Sequence, residues 1–460
     1  MSLFSIIKCC ITLTVLYLCT NRLQAQFSLS ALADSAIHYL PVIKQREAGI
    51  NASRAALTAT QHSFLPQVRA SEQVNIGTDN SLAGSYFTFG ITPSTSAGVR
   101  ADNNGATESG NLGILYGEYE LYNFGLNAAK INNAKAGIDL QVANLQQEQY
   151  LLQLHVARLY FSILRNQYRL SANEQNIYRY DSIYSVIRAL AAAGIRPGAD
   201  SSQARAELSK AKVSYNQTLG NILQLKDELG YLTGIPATLV NIDTASLNTG
   251  SHMIEPGTSP LNPVTFPLLH SYLSRRNTYL TNEQVIRKSY LPKIILAASA
   301  WARGSSIQYN DDYKAFPYGW GYQRFNYVAG IAVTYNLFNG LYKKDQLAIN
   351  RFQFRASDAE FQQQVLALEA DRRKADHALQ IADDNFLEIP VQLQSASDTY
   401  RQKVAQYKAG LISLIDLTNA SFVLYRSEID YAEGLTDIFQ ARLDKAASSG
   451  VLEKFIQSFK

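Results

Sequence analysis

The stretch "AGIRPGADSSQA" at residues 193–204 returns in outline as "AGLISLIDLTNA" at residues 409–420. One constant offset in residue number relates three matching pairs in the two copies: Gly194 and Gly410, Asp200 and Asp416, Ala204 and Ala420. In each copy the glycine follows a long run with no other helix breaker close by, which is typical of a helix that ends at a left-handed glycine. The two stretches therefore predict the same turn between helices, written twice.

The runs on either side of each turn carry the heptad pattern of a coiled coil. Apolar residues recur at heptad spacing along residues 131–184. The positions that correspond to them at the same offset keep this register, with Asp358 and Arg372 as the polar exceptions. The pattern resumes after each turn, at residues 204–225 and their counterparts. Each half of the chain is therefore predicted to hold a helical hairpin with the repeated turn at its tip.

The long arms of the two hairpins are expected to differ. A first arm from about residue 127 to 192 would rise roughly 100 Å at 1.5 Å per residue. In the second half, Pro390 removes a backbone donor and clashes with the preceding turn. It is therefore expected to kink or break the second arm near Ile389, and the helices are placed at 341–388 and 391–409.

Each long arm is preceded by a segment that alternates in hydropathy, "NLGILYGEYELYN" at 111–123 and "NYVAGIAVTYNLFN" at 326–339. Alternation with one apolar face predicts half-buried strands. The other face of the first segment carries Glu118 and Glu120. Partner strands are predicted to start at the prolines of "FLPQV" and "YLPKI", because proline ends a helix and favours extended backbone before it.

The connections between partner strands, near 77–110 and 304–324, are long and predicted to be surface loops. Four strands do not close a barrel, and lipid tolerates no open sheet edge. Additional copies of the chain must then complete the sheet, and a water-filled pore favours three or more of them. The alternative interpretation is a periplasmic coiled-coil scaffold without a pore, in which the strands form a small solvated sheet.

Composition and charge narrow the function classes. The opening segment, with Lys8 and an apolar run from Cys9 to Cys19, predicts a secretory signal cleaved near Ala25. Lipidation of Cys19 is the less favoured alternative, because the preceding Leu18 is bulky. All the cysteines lie in this predicted signal, so its removal would leave none. The remaining chain has nearly equal numbers of basic and acidic residues, which indicates no nucleic-acid partner.

No enzyme, metal or cofactor motif stands out. The six histidines are scattered without ligand spacing, and there is no phosphate-binding glycine loop or nucleophile elbow. The predicted organisation is a signal peptide (1–25), a first repeat (26–240), a linker (241–263), a second repeat (264–450) and a C-terminal tail (451–460).

The chain resembles the TolC-like outer-membrane factors, the ducts of efflux pumps and type I secretion systems. The motifs that carry this resemblance are "HYLPVIKQ", "FLPQV", "ELYNFG", "NLFNG", the two tips and "LGYLTGIP". The resemblance implies an α+β membrane protein with an internal duplication. Three chains would share a twelve-stranded β-barrel in the outer membrane, continued into the periplasm by a tunnel of coiled-coil hairpins. It also implies a periplasmic adaptor protein and an inner-membrane pump, of the RND or ABC type, as partners.

The resemblance also implies roles for particular residues. The hairpin tips would dock the adaptor through Gly194, Ile195, Arg196, Pro197, Gly410, Leu411, Ile412 and Ser413. The periplasmic entrance would be closed near Tyr407, Asp416 and Asn419, with Asp200 adding charge from outside. Ile412 stands where some members have an arginine and Asn419 where some have a second carboxylate, which puts in doubt a strong lock. Glu118 and Glu120 would face the barrel lumen; a merely solvated polar face is the alternative.

Overall fold

The computed structural model describes residues 26–81, 99–242, 262–309 and 311–459. The predicted signal segment, most of the inter-repeat linker and the middle of the first strand connection lie outside the described residues. The described helices and strands follow in this order: β1 (Gln26–Phe27), α1 (Leu29–Tyr39), α2 (Pro41–His62), β2 (Gln67–Gly77), β3 (Glu108–Tyr122), α3 (Leu126–Ala192), α4 (Gly198–Thr233), β4 (Asn241–Ile242), α5 (Pro267–Ser289), β5 (Lys293–Ser305), α6 (Phe316–Trp320), β6 (Arg324–Thr334), α7 (Asn339–Lys408), α8 (Leu414–Ser449) and α9 (Leu452–Gln457).

The chain forms two compact units, a helical unit and a sheet unit. The helical unit comprises Met1–Ile50, Leu140–Arg275 and Ser357–Lys460, and the sheet unit comprises Asn51–Asp139 and Arg276–Ala356. Among the described residues, no helix carries an apolar stretch of the length needed to cross a membrane.

The duplication is visible in the lengths and ends of the helices. The arms before the turns, α3 and α7, have 67 and 70 residues, and the arms after them, α4 and α8, have 36 residues each. The later arms end at Gly234 and Gly450, which both have positive φ and are again related by the offset of the tips. The predicted hairpins are confirmed, and the repeat extends to their last residues.

The four strands of the sheet unit form one antiparallel sheet in the order β2-β3-β5-β6. In its middle, Leu115 of β3 lies opposite Ala70 of β2 and Ala300 of β5. Pro66 and Pro292 stand directly before β2 and β5, as the sequence predicts. The outer sides of β2 and β6 have no partner strand in the described chain.

One face of this sheet, the apolar face, is made by residues in register with Leu115. Its apolar side chains belong to Val68, Ala70, Val74, Ile76, Leu115, Tyr119, Leu296, Ala298, Ala300, Ala302, Phe325, Tyr327, Ala329, Ile331 and Val333. Many of them are exposed, including Ile331 and Val333. Glu118 and Glu120 alternate with these residues and belong to the opposite face.

The connection at residues 304–324, expected to be a surface loop, also contains regular structure. This connection contains α6, a single helical turn that packs on β3 and β5. Gly319 is buried, and a Cβ atom there would meet the backbone and hydroxyl oxygens of Ser109. The missing side chain thus allows the helix to lie directly on the strand.

The core of the helical unit is formed largely by buried residues of α1 and α3, to which α8 adds Phe439, Leu443, Ala446 and Ala447. Phe161 of α3 stacks on Phe439 of α8, with ring centroids 5.7 Å apart and planes at 3°. The residues expected to form a C-terminal tail complete this core, because Phe455 and Phe459 pack around Phe161. Phe455 lies in α9 and Phe459 lies two residues after its end, and both rings are buried in this core.

The predicted break at Pro390 is wrong. Helix α7 runs through Pro390 without interruption. Contacts with α8 hold it on both sides: Ile389 packs against Gly434, and Gln392 donates a hydrogen bond to Asp430 at 2.9 Å. Pro390 itself is exposed, so water can bond the carbonyl that has lost its donor. Tertiary packing therefore outweighs the local cost of proline.

Candidate functional site

Both hairpin tips begin with the same hydrogen-bonded helix end. At the first tip the amide of Gly194 donates to Ala191 O at 3.1 Å, and the amide of Ile195 donates to Leu190 O at 3.0 Å. This pair of bonds around a left-handed glycine is the Schellman motif.

The second tip repeats the arrangement. The amide of Gly410 donates to Tyr407 O at 3.0 Å, and that of Leu411 donates to Gln406 O at 2.9 Å. Both glycines have φ of +73°. The prediction of the same turn at both tips is therefore confirmed, because the two turns share their hydrogen bonds and the φ angle of their glycines.

The tips differ where the next helix begins. At the second tip Ser413 and Asp416 form a capping box: Ser413 Oγ accepts from the Asp416 amide at 3.2 Å, and Asp416 Oδ2 accepts from the Ser413 amide at 3.1 Å. At the first tip Pro197 occupies the capping position and forms no side-chain cap. Asp200 has the position of Asp416 in its helix without the same bonds, because proline offers neither a hydroxyl nor an amide hydrogen.

The capping box fixes the charge of Asp416. The Ser413 hydroxyl also donates to Asp416 Oδ2, at 2.6 Å. These hydrogen bonds from Ser413 hold the pKa of Asp416 below its ordinary value of 3.8. Asp416 and Asn419 are both exposed, and their spacing of three positions places them on one side of α8. Asp416 is therefore an ionised, solvent-facing carboxylate at neutral pH.

Tyr407 lies at the centre of an apolar cluster between the two hairpins. The buried members of this tip cluster are Tyr180, Ile183, Ile187, Ala204, Leu208, Ala211, Tyr407, Leu414 and Leu417. Tyr407 is 7% exposed, and its hydroxyl has no hydrogen-bond partner in the described chain. Burial raises the pKa of Tyr407. The ring thus anchors the second hairpin in the cluster.

Arg196 of the first tip covers this ring. Its guanidinium carbon lies 5.3 Å from the centroid of Tyr407, within the range of a cation–π interaction. Asp200 is close enough to act on Tyr407 electrostatically. Ile412, which stands where the resemblance places an arginine in some members, is partly buried against the tip cluster. The cation over the ring of Tyr407 therefore comes from the first hairpin.

Other candidate tip residues are solvent-facing. Ile195 is 67% exposed and Leu411 75% exposed, at equivalent places directly after the glycines. Two apolar side chains thus stand at the ends of the hairpins, where nothing in the described chain covers them.

The two candidate lumen residues have different surroundings. Glu120 forms an ion pair with Lys293 at 2.8 Å and accepts a hydrogen bond from Asn123 at 2.6 Å. Glu118 accepts a hydrogen bond from the Tyr116 hydroxyl at 3.0 Å. Lys293 therefore offsets the charge that Glu120 was expected to add.

A ladder of ion pairs between α3 and α8 was not foreseen from the sequence. It consists of Arg158 with Asp444, Arg165 with Asp437, Arg169 with Glu433 and Arg179 with Glu428. As the numbers rise on α3 they fall on α8, so the helices are antiparallel. The sequence shows arginines along one side of α3 and acidic residues along α8. These patterns predict ion pairs only once it is known that the two helices, which come from different halves of the chain, pack together.

The Arg196–Tyr407 contact was also missed, although the offset between the two tips carried a hint. Arg196 aligns with Ile412 at this offset, so the charge absent from one tip is present at the other. Among the described residues, no group of histidine, cysteine, aspartate or glutamate side chains is arranged to hold a metal ion.

Duplicated hairpins joined to a four-stranded sheet with an apolar face define the fold of an outer-membrane channel protein. The model of the family "outer membrane efflux protein" matches residues 32–234 and 271–450. These segments make up most of the chain, and the chain belongs to this family. Members of the family are channels rather than enzymes. The protein is accordingly an outer-membrane protein that extends into the periplasm.

Solved structures share the fold at low sequence identity. The CmeC outer membrane channel of Campylobacter jejuni is 15% identical, with 94% of this chain and 90% of that chain covered and a TM-score of 0.74. The outer membrane protein VceC of Vibrio cholerae is 13% identical, with 92% and 96% covered and a TM-score of 0.71. The open state of the MtrE outer membrane channel of Neisseria gonorrhoeae is 17% identical, with 92% and 89% covered and a TM-score of 0.67. No curated protein matches the chain by sequence.

Proposed function

We propose that this protein is the outer-membrane duct of a tripartite efflux pump or a type I secretion system, assembled from three copies of the chain. The duct transports passively, and an inner-membrane pump supplies the energy through a periplasmic adaptor. The observation that carries this proposal is the sheet with two open edges, β2 and β6, each of 11 residues.

The open edges favour assembly for a physical reason. Backbone amides and carbonyls on an unpaired edge have no water to bond inside a bilayer. Pairing β2 of one copy with β6 of the next satisfies both edges at once and repeats around a ring. Two copies would give a barrel of eight strands, and side chains would fill its interior. Three copies give twelve strands and leave room for a channel. The apolar face then lies against lipid and the opposite face lines the channel.

The tips support the periplasmic half of the proposal. In a ring of three copies, six equivalent hairpin ends would present exposed Ile195 and Leu411 to an adaptor. Tyr407, Asp416, Asn419 and Asp200 would surround the entrance, with Asp416 as the main source of its negative field. Glu118 would contribute charge to the lumen of the barrel, while Lys293 offsets Glu120.

Cysteine cross-linking tests the assembly directly, because the chain after Cys19 has no cysteine of its own. Val328 on β6 is combined in turn with Arg69, Ser71 or Gln73 on β2, all on the face opposite the apolar face. Oxidation of outer membranes should yield a covalent trimer for at least one pair. Native mass measurement in detergent should give three chains per particle.

An internal control uses Ser299 and Val328, which lie opposite each other within one chain. Their disulfide should form and leave the denatured protein at the mass of a monomer. If the control pair forms while every β2–β6 pair stays monomeric, and the protein fractionates as a soluble monomer, the duct is wrong and the coiled-coil scaffold takes its place.

A further inference from the structure

The connection between β5 and β6 lies on the apolar face of the sheet instead of extending into solvent. The bonds that hold it there are short. Ser109 Oγ donates to Phe316 O at 2.6 Å, and Asn111 Nδ2 donates to Trp320 O at 2.8 Å. The Tyr322 hydroxyl donates to the Glu72 carboxylate at 2.5 Å.

These three bonds involve every polar strand residue in register with Leu115 on β2 and β3. Glu72 lies opposite Gly113, Ser109 opposite Ile76, and Asn111 opposite Val74. The connection thus gives Glu72, Ser109 and the Asn111 amide nitrogen one hydrogen bond each, while Asn111 Oδ1 stays buried without a partner in the described chain. An aqueous face would need no such arrangement, because water serves as the partner there, whereas a face against lipid requires it.

The glycines of this region allow the close fit. A Cβ atom on Gly304 would overlap the backbone of Gly319 and Gly321. A Cβ atom on Gly113 would overlap the Tyr322 hydroxyl and lie 2.7 Å from a Glu72 carboxylate oxygen. The amide of Gln323 donates to Arg303 O at 2.8 Å, which fixes the end of the connection. The connection between β5 and β6 therefore forms an ordered layer that packs on the sheet, and we call it the layer below.

The outer surface of this layer is aromatic. The three aromatic side chains of α6 and that of Tyr322 are about half exposed: Phe316 42%, Tyr318 49%, Trp320 50% and Tyr322 46%. Phe325 and Tyr327 continue the surface along β6, in the same register as Ile331. Tyrosine and tryptophan are enriched where acyl chains meet headgroups, because their rings are apolar and their tips polar.

We infer that α6 and Tyr322 form a lipid-binding platform at the outer interface of the membrane. This inference rests on the proposed function, which sets the apolar face against lipid and the helix-bearing ends of the strands toward the periplasm. The platform occupies the opposite strand ends, so its aromatic rings lie at the outer boundary between headgroups and acyl chains. Its partner is the lipid surface itself, in continuity with the apolar face.

Tryptophan fluorescence tests the platform, because the chain has only two tryptophans. Trp320 belongs to α6, whereas Trp301 lies opposite Asn326 in the register of the other face. The variant Trp301→Phe leaves Trp320 as the reporter, and Trp320→Phe leaves Trp301 as the matched control. Both full-length proteins are placed in phosphatidylcholine vesicles that carry bromine near the headgroup end or near the methyl end of the acyl chains.

Trp320 should lose about half of its fluorescence with bromine near the headgroups and much less with deep bromine, as expected for an interfacial ring. Trp301 should respond weakly to both. Strong quenching of Trp320 by aqueous iodide without quenching by bromine overturns the platform in favour of a solvated loop. Shielding of Trp320 from both quenchers indicates a protein cover and overturns it equally.

A third variant separates failure of the platform from failure of the duct. Ile331→Trp in a chain lacking both natural tryptophans reports on the middle of the apolar face. Deep bromine should quench it. If this residue is quenched and Trp320 is not, the sheet is in the membrane and the platform is wrong. If neither is quenched, the membrane position of the sheet fails as well.

Discussion

The guanidinium of Arg196 lies over the ring of Tyr407, 5.3 Å from its centroid. This contact joins the tip of the first hairpin to the last turn of α7, the long arm of the second hairpin. The two tips of one chain are thus coupled by an aromatic residue that is buried below a cation. A contact of this kind contributes about 0.5–1 kcal/mol near a surface and more where water is excluded. This is enough to bias the position of a tip without fixing it irreversibly.

Arg196→Ala should loosen the entrance. In the proposed trimeric duct, we expect this variant to show higher conductance or more frequent opening in planar bilayers. Tyr407→Leu should have a similar effect, because it keeps an apolar side chain in the tip cluster but removes the π face. The double variant should add little to either single variant, since both remove the same contact. Arg188→Ala, on the exposed side of α3, is the control. Full additivity would show that the two residues act separately.

Asp416→Ala should raise conductance and reduce cation preference and block by multivalent cations, because the entrance of the proposed duct would lose its main carboxylate. Two controls separate charge from capping. Asp416→Asn removes the charge but keeps an oxygen that can accept from the Ser413 amide, so selectivity should fall while helicity of the tip is kept. Ser413→Ala removes a cap partner and keeps the charge. If Ser413→Ala changes selectivity as much as Asp416→Asn, the capping role stands alone.

The pH dependence of this selectivity follows from the lowered pKa of Asp416. A carboxyl group whose pKa is depressed in the folded protein contributes fully above its unfolded pKa, and the contribution is lost as pH falls through the folded pKa. The part of the cation preference that depends on Asp416 should therefore persist from neutral pH into mildly acid solution, and half of it should be lost only below 3.8, the ordinary pKa of the group. A midpoint near pH 6 in reversal-potential measurements would assign the effect to another group.

Arg179 and Glu428 should matter more to stability than any other step of the ion-pair ladder. Two bonds of 2.6 Å join them, and their side chains are only 11% and 21% exposed. Arg179→Met leaves a largely buried carboxylate without its partner, a change that costs about 3–5 kcal/mol in buried pairs. Urea-induced loss of helical circular dichroism should shift strongly to lower concentration.

The double variant Arg179→Met/Glu428→Leu should recover much of this loss, because no charge is then left unpaired. Arg158→Met is the matched control on the same ladder, since Arg158 and Asp444 are 51% and 39% exposed and such pairs contribute about 0–1 kcal/mol. Equal losses for Arg158→Met and Arg179→Met would contradict the role of burial.

Local sequence patterns predicted the helices, strands and turns of this fold. The features that were not predicted depend on contacts between residues far apart in the sequence. The heptads, the alternating segments and the glycines of the tips each depend on neighbours within a few turns. The Arg196–Tyr407 contact and the seating of α6 on Ser109 join positions from different halves of the chain, and no local pattern encodes them. Of the candidate site, the turns could therefore be predicted from the sequence, whereas the cation over Tyr407 could not.

Pro390 shows the opposite case, a strong local signal that tertiary packing overrides. Because α7 stays helical there, Pro390→Ala should restore one backbone hydrogen bond and raise the free energy of unfolding by about 1–3 kcal/mol. Thermal melting followed by circular dichroism checks this, with Pro197→Ala at the start of α4 as a control that restores no bond within a helix. An unchanged or lower midpoint for Pro390→Ala would mean that the proline is accommodated without cost.

The glycines of the tips should control adaptor docking through backbone conformation alone. A Cβ atom on Gly194 or Gly410 would meet nothing within 4 Å, yet both residues have φ of +73°. Replacing both by valine should cost roughly 1–2 kcal/mol at each tip and displace the exposed Ile195 and Leu411, so adaptor binding measured with purified proteins should weaken. Replacing both by asparagine is the matched control, because asparagine tolerates the left-handed region. Trimers should form with either pair of substitutions, since the strands are untouched. If the valine and asparagine variants bind the adaptor equally, the geometry of the tips does not determine docking.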